Sequence, residues 1–220
     1  VQTCALPISI ALKAKKIQAT EHTLRDGILD EETKLHLENK GTSLAFHLPE
    51  LREKVLRLGI SEPHTDSVVK HCDVLFHALK KIHKLDVKWK PYLLAAAYLH
   101  DLGECVSHTD HELHSYYMVK NAHIPSMNEV ETEIVAQLCG QHSGNKNGKS
   151  DTTMFTSAKT RDAFNKLLSI LRVADALDRG HKGALTIKKV QCTSKKVVIY
   201  AVAKSAGELE MLRIQSKKAL

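Results

Sequence analysis

The chain has 220 residues, of which 43% are hydrophobic and 26% are charged, a balance that excludes disordered and collagen-like chains and is typical of a globular protein. No apolar run reaches the roughly 18 residues of a membrane-spanning helix, and the 5% aromatic content argues against stacking platforms for single-stranded nucleic acid. The net charge of +7 lies wholly in residues 181–220, which hold nine Lys or Arg and two Glu. Such a basic segment suits a polyanion such as a phosphate chain, and it equally suits a solvated, lysine-rich face of a sheet.

The N-terminal part of the chain has the weakest pattern. Residues 1–10 lack an initiator Met, and their short apolar run precedes lysines, which is the reverse of the order in a secretory signal. We therefore expect a fragment. Residues 34–48 are polar and loosely patterned, and residues 41–43 predict a linker before a short helix at residues 51–58.

From residue 61 to residue 180 the pattern is helical almost throughout. Pro63 precedes an amphipathic helix whose apolar residues recur at three- and four-residue steps up to Ile82. Pro91 lies in the first turn of a helix whose residues 93–99 are apolar on every side, which predicts a central position. Further helices are predicted at residues 111–120, 128–141 and 158–178.

Beyond Gly180 the sequence changes to alternating and β-branched residues. Strands are predicted at residues 184–192 and 196–203, and the pattern allows a third strand at residues 209–214. The predicted fold is therefore mainly α, with a helical bundle followed by a small antiparallel β appendage.

Histidine and cysteine usage point to a metal site in a reducing compartment. Ten of the 14 histidines fall between His64 and His142, a density that metal binding would explain. The five cysteines are widely spaced and form no Cys-x-x-Cys pair, so we expect reduced thiols and a cytoplasmic location.

Six polar side chains fall in phase with the apolar stripes of these helices. Burial of a charge or an imidazole is costly unless the group is paired or bound to a metal. Imidazoles and carboxylates suit Mn, Fe, Zn or Mg, and a carboxylate can bridge two such cations about 3.5–4 Å apart. Asp101 is the candidate bridge. The six candidate ligands are His64, His100, Asp101, His114, His142 and Asp175.

Alternatives remain open at several of these positions. A single His or Asp on an apolar stripe is more often a hydrogen-bonded core residue than a metal ligand. His71 is also in phase and is an alternative to His64. His108 and His111 compete with His114, or they orient the ligands from outside the metal sphere.

The stretch His100-Asp101-Leu102-Gly103 resembles the HD superfamily of metal-dependent phosphohydrolases. The pattern of that superfamily falls on four of the six candidates, and His114 and His142 match the extra histidines of its two-metal members. More narrowly, the chain from about residue 61 onward resembles the C-terminal half of the exopolyphosphatase and guanosine pentaphosphate phosphatase (Ppx/GppA) family. The stretches that carry this resemblance are residues 64–67, 97–103, 114–117 and 171–179.

The resemblance implies a metal-dependent hydrolase. An HD-type helical bundle at residues 61–180 would bind two divalent cations (Mn, Fe, Mg or Zn) through the six candidates and cleave phosphoanhydride or phosphoester bonds of polyphosphate or a phosphorylated nucleotide. Asp101 and His100 would be catalytic, with Asp101 orienting the nucleophilic water. The expected phosphate contacts are Arg172, Arg179, Lys146 and Lys149.

The resemblance also divides the chain. Residues 24–29 are similar to the end of the family's actin-like phosphatase domain, so residues 1–40 are interpreted as an artefactual start plus the tail of that domain. Residues 41–60 are a linker and short helix, and residues 181–220 are a basic β appendage, expected to be truncated. Two departures from the family pattern are Glu104, where many HD phosphohydrolases have a basic residue, and the loop after His142, which lacks the usual Arg.

An alternative function belongs to a different class. The segment would then be a non-catalytic module for polyphosphate binding and dimerisation that serves an active site upstream. In either case we expect a homodimer formed through the full-length protein, with no membrane and no specific nucleic acid as partner, because no recognised DNA- or RNA-binding signature accompanies the charge.

Overall fold

The computed structural model describes residues 43–203 apart from residues 123, 125–126, 144–149 and 194–195. Within these residues, seven α-helices and two short 3₁₀ turns (Val87–Trp89 and Leu102–Cys105) precede one antiparallel pair of strands. The prediction of a mainly α fold with a small antiparallel appendage is confirmed. Residues 1–42 and the third strand predicted at residues 209–214 lie outside the described residues. The helices are α1 (Ser43–Arg57), α2 (Glu62–Ala78), α3 (Lys80–His83), α4 (Lys90–Leu99), α5 (His111–Asn121), α6 (Glu129–Gln141) and α7 (Ala158–Ala176), and the strands are β1 (Leu185–Cys192) and β2 (Val197–Ala203).

Helix α4 is the centre of the bundle, as its apolar sequence predicts. It packs against α1, α2, α6 and α7. Leu93, Ala95, Ala96 and Ala97 are completely buried, and the small alanine side chains let the neighbouring helices approach closely. The C-terminal end of α4 therefore lies deep in the bundle, where few polar groups are tolerated without partners.

Helix α1 is longer than its sequence predicts, because it begins at Ser43 instead of residue 51 and contains Pro49 in its interior. A proline there removes a backbone hydrogen bond, at a cost of about 3 kcal/mol. Leu44 is buried and Leu48 packs against the core, and burial of such side chains contributes roughly 1.5–3 kcal/mol each. Packing of the apolar face thus offsets the unfavourable proline.

Two later helices begin where their capping residues indicate. Asn128 accepts a hydrogen bond from the backbone N–H of Glu131, whose carboxylate accepts one from the backbone N–H of Asn128 in return. The Ser157 hydroxyl caps α7 through the backbone N–H of Thr160. These caps fix the starts of α6 and α7 and hence the register of the residues that each helix buries.

The β appendage is attached to the bundle through β1. Its residues Leu185 and Ile187 are buried, and the strand packs against α2. It pairs with β2 in antiparallel register from Leu185↔Ala203 to Cys192↔Val197, with a bulge after Ile187. Among the described helices, none has the length and apolar character needed to cross a membrane.

Candidate metal centre

Six side chains converge at one place in the described residues, and each lies at or beside the end of a helix. His100 and His142 cap the C-terminal ends of α4 and α6, and His111 is the first residue of α5. All six are buried except His111, which is partly exposed. We call this set the His/Asp centre, and it consists of His64, His100, Asp101, His111, His142 and Asp175.

The Asp101 carboxylate lies between two pairs of imidazoles. Its Oδ2 atom is 3.3 Å from Nε2 of His64 and 3.3 Å from Nε2 of His100, and those two nitrogens are 3.2 Å apart. Its Oδ1 atom is 3.3 Å from Nε2 of His142 and 3.5 Å from Nε2 of His111, again with the two nitrogens 3.2 Å apart. Each oxygen thus completes one group of three atoms that could hold a metal ion.

The other ring nitrogen of each imidazole faces a hydrogen-bond acceptor. A neutral imidazole has one N–H, so donation from Nδ1 leaves Nε2 with a free lone pair. Four lone pairs directed at one carboxylate repel each other, and they also repel the carboxylate, unless cations or protons lie between them. This set of imidazole and carboxylate ligand atoms therefore fits divalent cations. The acceptors for the Nδ1 atoms of His64, His100, His111 and His142 are, respectively, Asp178 Oδ2 (3.0 Å) and the carbonyl oxygens of Ala97 (3.0 Å), His108 (3.2 Å) and Cys139 (2.6 Å).

The electrostatics of the centre favour positive charge. Burial lowers the pKa of His64, but hydrogen bonds to Asp101 and Asp178 outweigh it and raise this pKa to about 10. Burial also opposes ionisation of Asp101, yet the imidazoles, foremost His100, hold the pKa of Asp101 well below its usual range. The pKa of His142 is raised in spite of its burial, because Asp101 accepts its hydrogen bond. Protons and cations therefore compete for the same positions.

Asp175 borders the His64 side of the centre. Its Oδ1 atom is 3.6 Å from Nε2 of His64, and its Oδ2 atom is 3.5 Å from an Nη atom of Arg179. The Arg179 side chain is 49% exposed, so it connects the buried carboxylate to the surface. This placement suits both the predicted ligand role of Asp175 and the predicted phosphate contact of Arg179.

Arg172 has a structural contact that its sequence position does not reveal. Its Nε and Nη2 atoms donate hydrogen bonds to the backbone carbonyl of Gln141, at 3.1 and 2.9 Å, and burial lowers its pKa. These bonds hold the last turn of α6 just before His142. The other two predicted phosphate contacts, Lys146 and Lys149, lie outside the described residues.

The sequence of this domain matches one known family. Residues 53–212 fit the family model described as Ppx/GppA phosphatase, domain III. The chain belongs to the Ppx/GppA phosphatase family. The matched range contains all six residues of the His/Asp centre, and it confirms the family resemblance of the sequence. A comparison with curated proteins found no match. Because this family is one of phosphatases, its substrates are phosphorylated compounds.

The structure brings His111, and not His114, to Asp101 in this Ppx/GppA domain. His114 is absent from the groups of potential ligand atoms found in the described part of the chain. It packs against the turn after Asp101, where a Cβ added to Gly103 would lie 2.7 Å from Cβ of His114 and would collide with the carbonyl oxygen of His111. The sequence left His111 open as a competitor of His114, and in the structure His111 shares with His100 and His142 a position at a helix end.

His71, the alternative to His64, has a different role in the fold. Its ring nitrogens lie 3.4 Å from the carbonyl oxygen of Ala174 and 3.2 Å from that of Leu185. The side chain therefore joins α2 to α7 and β1, and burial lowers its pKa. His64, two turns earlier on α2, is the residue of this helix that reaches Asp101.

Sequence reasoning missed Asp178, which orients His64. The Asp178 side chain is buried and accepts hydrogen bonds from the backbone N–H of Gly183 at 2.9 and 3.1 Å, in addition to its contact with His64. A usable signal was present in the sequence, because Asp178 lies three residues after Asp175, near the same side of the helix. Carboxylates that fix the tautomer of a ligand histidine commonly accompany metal sites.

Proposed function

We propose that the His/Asp centre binds two divalent cations that share Asp101, and that the domain hydrolyses phosphoanhydride or phosphoester bonds of a polyanionic substrate such as polyphosphate or guanosine pentaphosphate. The observation that carries this proposal is the convergence of four Nε2 atoms, in two pairs, on the two oxygens of one buried carboxylate. Family membership supports the phosphorylated substrate class.

The two sides of Asp101 supply different ligands. On the Oδ2 side, His64 and His100 present their Nε2 atoms, and Asp175 adds a carboxylate 3.6 Å from His64. On the Oδ1 side, His142 and His111 present theirs. Imidazole and carboxylate ligands of this kind suit Mn, Fe, Zn or Mg.

Cations bound there would lower the pKa of a water molecule and neutralise charge on a phosphoryl group under attack. The protein's own residues hold the reacting groups in place. The Asp101 carboxylate accepts a hydrogen bond from the attacking water and orients it. His100 is fixed by the carbonyl oxygen of Ala97, so its Nε2 atom stays directed at the Oδ2 atom of Asp101. Arg179 donates hydrogen bonds to phosphoryl oxygens from the exposed side.

The experiment measures metal content and phosphate release together. Purified protein is analysed for Mn, Fe, Zn and Mg and then assayed with polyphosphate, guanosine pentaphosphate and simple nucleotides, with and without added Mn²⁺. We expect bound metal and metal-dependent phosphate release from the wild type, and loss of both in Asp101→Ala. His77→Ala is the matched control, because His77 is an exposed histidine on α2 away from the centre.

Two results would contradict the proposal. Metal content that is negligible, or that is the same in the wild type and in Asp101→Ala, would exclude the His/Asp centre as the binding site. Salt-sensitive binding of polyphosphate by metal-loaded protein without any phosphate release would indicate the non-catalytic binding module instead. The exposed lysines of the β appendage, among them Lys188 and Lys189, would then be the first candidates for that binding.

We also propose that the protein works in the cytoplasm, as its cysteine usage predicts. The described cysteines Cys72, Cys105, Cys139 and Cys192 are all free thiols, and Cys72 and Cys139 are buried in the core. Homodimerisation through the full-length protein stays a prediction, and sedimentation of the intact protein would test it.

A further inference from the structure

Glu104 and His181 adjoin the His/Asp centre without belonging to it. Together with Asp101 they form a further group of three potential ligand atoms, all within 4.8 Å of one another. Glu104 comes from the turn after Asp101, and His181 from the turn after α7. Two separate segments of the chain thus bring a carboxylate and an imidazole to the same carboxylate that the two imidazole pairs share.

The position of Glu104 follows from the 3₁₀ turn Leu102–Cys105. The backbone N–H of Glu104 donates to the carbonyl oxygen of Asp101 at 2.9 Å, and residues three apart in a 3₁₀ turn project to the same side. The carboxylates of Asp101 and Glu104 are therefore side by side. The Glu104 side chain is 19% exposed and that of Asp101 only 4%, so Glu104 marks the outer edge of the centre.

His181 is held against the centre by several independent contacts. Its ring stacks on that of His64, with the centroids 3.8 Å apart and the planes 3° from parallel. Its backbone has a positive φ of 53°, a conformation that residues other than glycine rarely adopt and that tends to be retained at functional sites. The backbone N–H of His181 donates to the carbonyl oxygen of Asp178 at 2.8 Å.

Gly183 allows this turn to lie close to α2. Its φ is 59°, and a Cβ at this position would lie 2.7 Å from the carbonyl oxygen of Pro63. The Asp178 carboxylate accepts the backbone N–H of Gly183, so the same carboxylate that orients His64 also closes the turn that carries His181. The placement of the His181 imidazole is thus built into the fold.

We propose that Asp101, Glu104 and His181 form an additional divalent-cation site at the outer edge of the His/Asp centre. The proposal goes beyond the proposed function and rests on it only in sharing Asp101. One imidazole and two carboxylates are suitable ligands for Mn²⁺ or Zn²⁺. Glu104 also lies 3.3 Å from Nδ1 of His108, but that side chain is 85% exposed, and such surface pairs contribute little to orienting a carboxylate.

The test is a count of bound Mn²⁺ by equilibrium dialysis, with Mn²⁺ alone as the probe. The variants are Glu104→Gln, which keeps the shape of the side chain, and His181→Asn, because asparagine tolerates a positive φ. His108→Asn is the matched control. We expect each of the first two variants to bind one equivalent fewer than the wild type, and the control to bind the same number as the wild type.

The outcomes separate this site from the centre itself. If Glu104→Gln and His181→Asn both bind as many equivalents as the wild type, the additional site is excluded and the His/Asp centre stands. If the wild type binds no Mn²⁺, the proposed function fails as well. Thermal unfolding without metal checks that the variants are folded, and because the two substitutions lie on different turns, either one suffices if the other does not fold.

Discussion

Asp178 and His64 form a buried pair in which a carboxylate oxygen lies 3.0 Å from the imidazole Nδ1. The other imidazole nitrogen, Nε2, points at Asp101 and Asp175. Because the Asp178 carboxylate accepts a hydrogen bond from Nδ1–H, it fixes which nitrogen is available to a cation. The residue that determines which nitrogen of His64 is available to a cation is therefore not one of the candidate ligands.

Asp178→Ala should weaken Mn²⁺ binding without removing it. Loss of a carboxylate that orients a ligand histidine typically lowers metal affinity by about 10- to 100-fold. Asp178→Asn, whose amide oxygen still accepts a hydrogen bond, should lose less. Titration with Mn²⁺ measures the affinity, and nitrogen-detected NMR of the metal-free protein above pH 10 reports the tautomer of His64. A tautomer that is the same in Asp178→Ala and in the wild type would contradict the positioning role. Asp162→Ala, at an exposed site on α7, is the control.

Gly103→Ala should destabilise the domain and disturb His111. An added Cβ would collide with the carbonyl oxygen of His111 and lie 2.6 Å from the backbone nitrogen of Ser115, whose hydroxyl accepts the backbone N–H of Gly103. Overpacking of this kind costs typically about 1–3 kcal/mol, and urea unfolding measures it. Gly59→Ala is the comparison, because a Cβ there meets nothing within 4 Å and only the positive φ of 81° opposes it. An equal loss of stability in the two variants would show that close packing at Gly103 is unimportant.

Arg172 and Arg179 should respond differently to replacement by methionine. Arg172 donates two hydrogen bonds to the carbonyl oxygen of Gln141, so its loss should lower the free energy of unfolding by roughly 1–3 kcal/mol. Arg179 is half exposed, and its loss should change stability by less than about 0.5 kcal/mol. If Arg179 contacts the substrate, its replacement should raise KM for polyphosphate roughly 10-fold. The opposite result, a stability loss only at Arg179, would reverse these assignments.

Asp66→Asn should destabilise the domain in a pH-dependent way. Asp66 on α2 accepts hydrogen bonds from Nε and Nη2 of Arg52 on α1, at 2.8 and 2.9 Å, and this contact lowers the pKa of its carboxyl. A lowered pKa in the folded state adds stability above the unfolded pKa of about 3.9, and this stability is lost as the pH falls through the folded pKa. The variant should therefore be less stable by about 1 kcal/mol at pH 7, with the difference shrinking below about pH 4.

Urea unfolding of the wild type and of Asp66→Asn across this pH range makes the measurement. Asp162→Asn serves as the control, since its carboxylate pairs with Lys166 on the surface and is 61% exposed. A difference between Asp66→Asn and the wild type that stays constant down to pH 2 would show that the charge of Asp66 is not responsible.

Helix boundaries were predictable wherever local chemistry determines them. Asn128 and Ser157 cap α6 and α7, as their positions before apolar stripes indicate. The start of α1 was not predictable in this way, because Pro49 interrupts the local signal and the burial of Leu44 depends on packing against other helices. Tertiary contacts decide such a boundary, and they are not contained in the local sequence.

The candidate site was predictable in part for a similar reason. Helical phase indicated His64, His100, Asp101 and His142, all of which the structure brings together. The helical pattern alone could not decide whether His111 or His114 reaches Asp101. That depends on how α5 begins at the turn of Asp110, which has a positive φ of 54°. Asp178 could have been noticed from its position three residues after Asp175, whereas His181 lies in the turn after α7, whose course follows from packing and not from periodicity.

The contact between His64 and Asp178 joins residues that are 114 positions apart in the chain. Contacts of such long range form only after the intervening helices have come together, because closing a long loop costs entropy that the local contacts must first offset. The geometry of the His/Asp centre is therefore complete only when α2 and the turn after α7 have come together. Uptake of a cation by this centre would then report that these parts of the bundle have assembled.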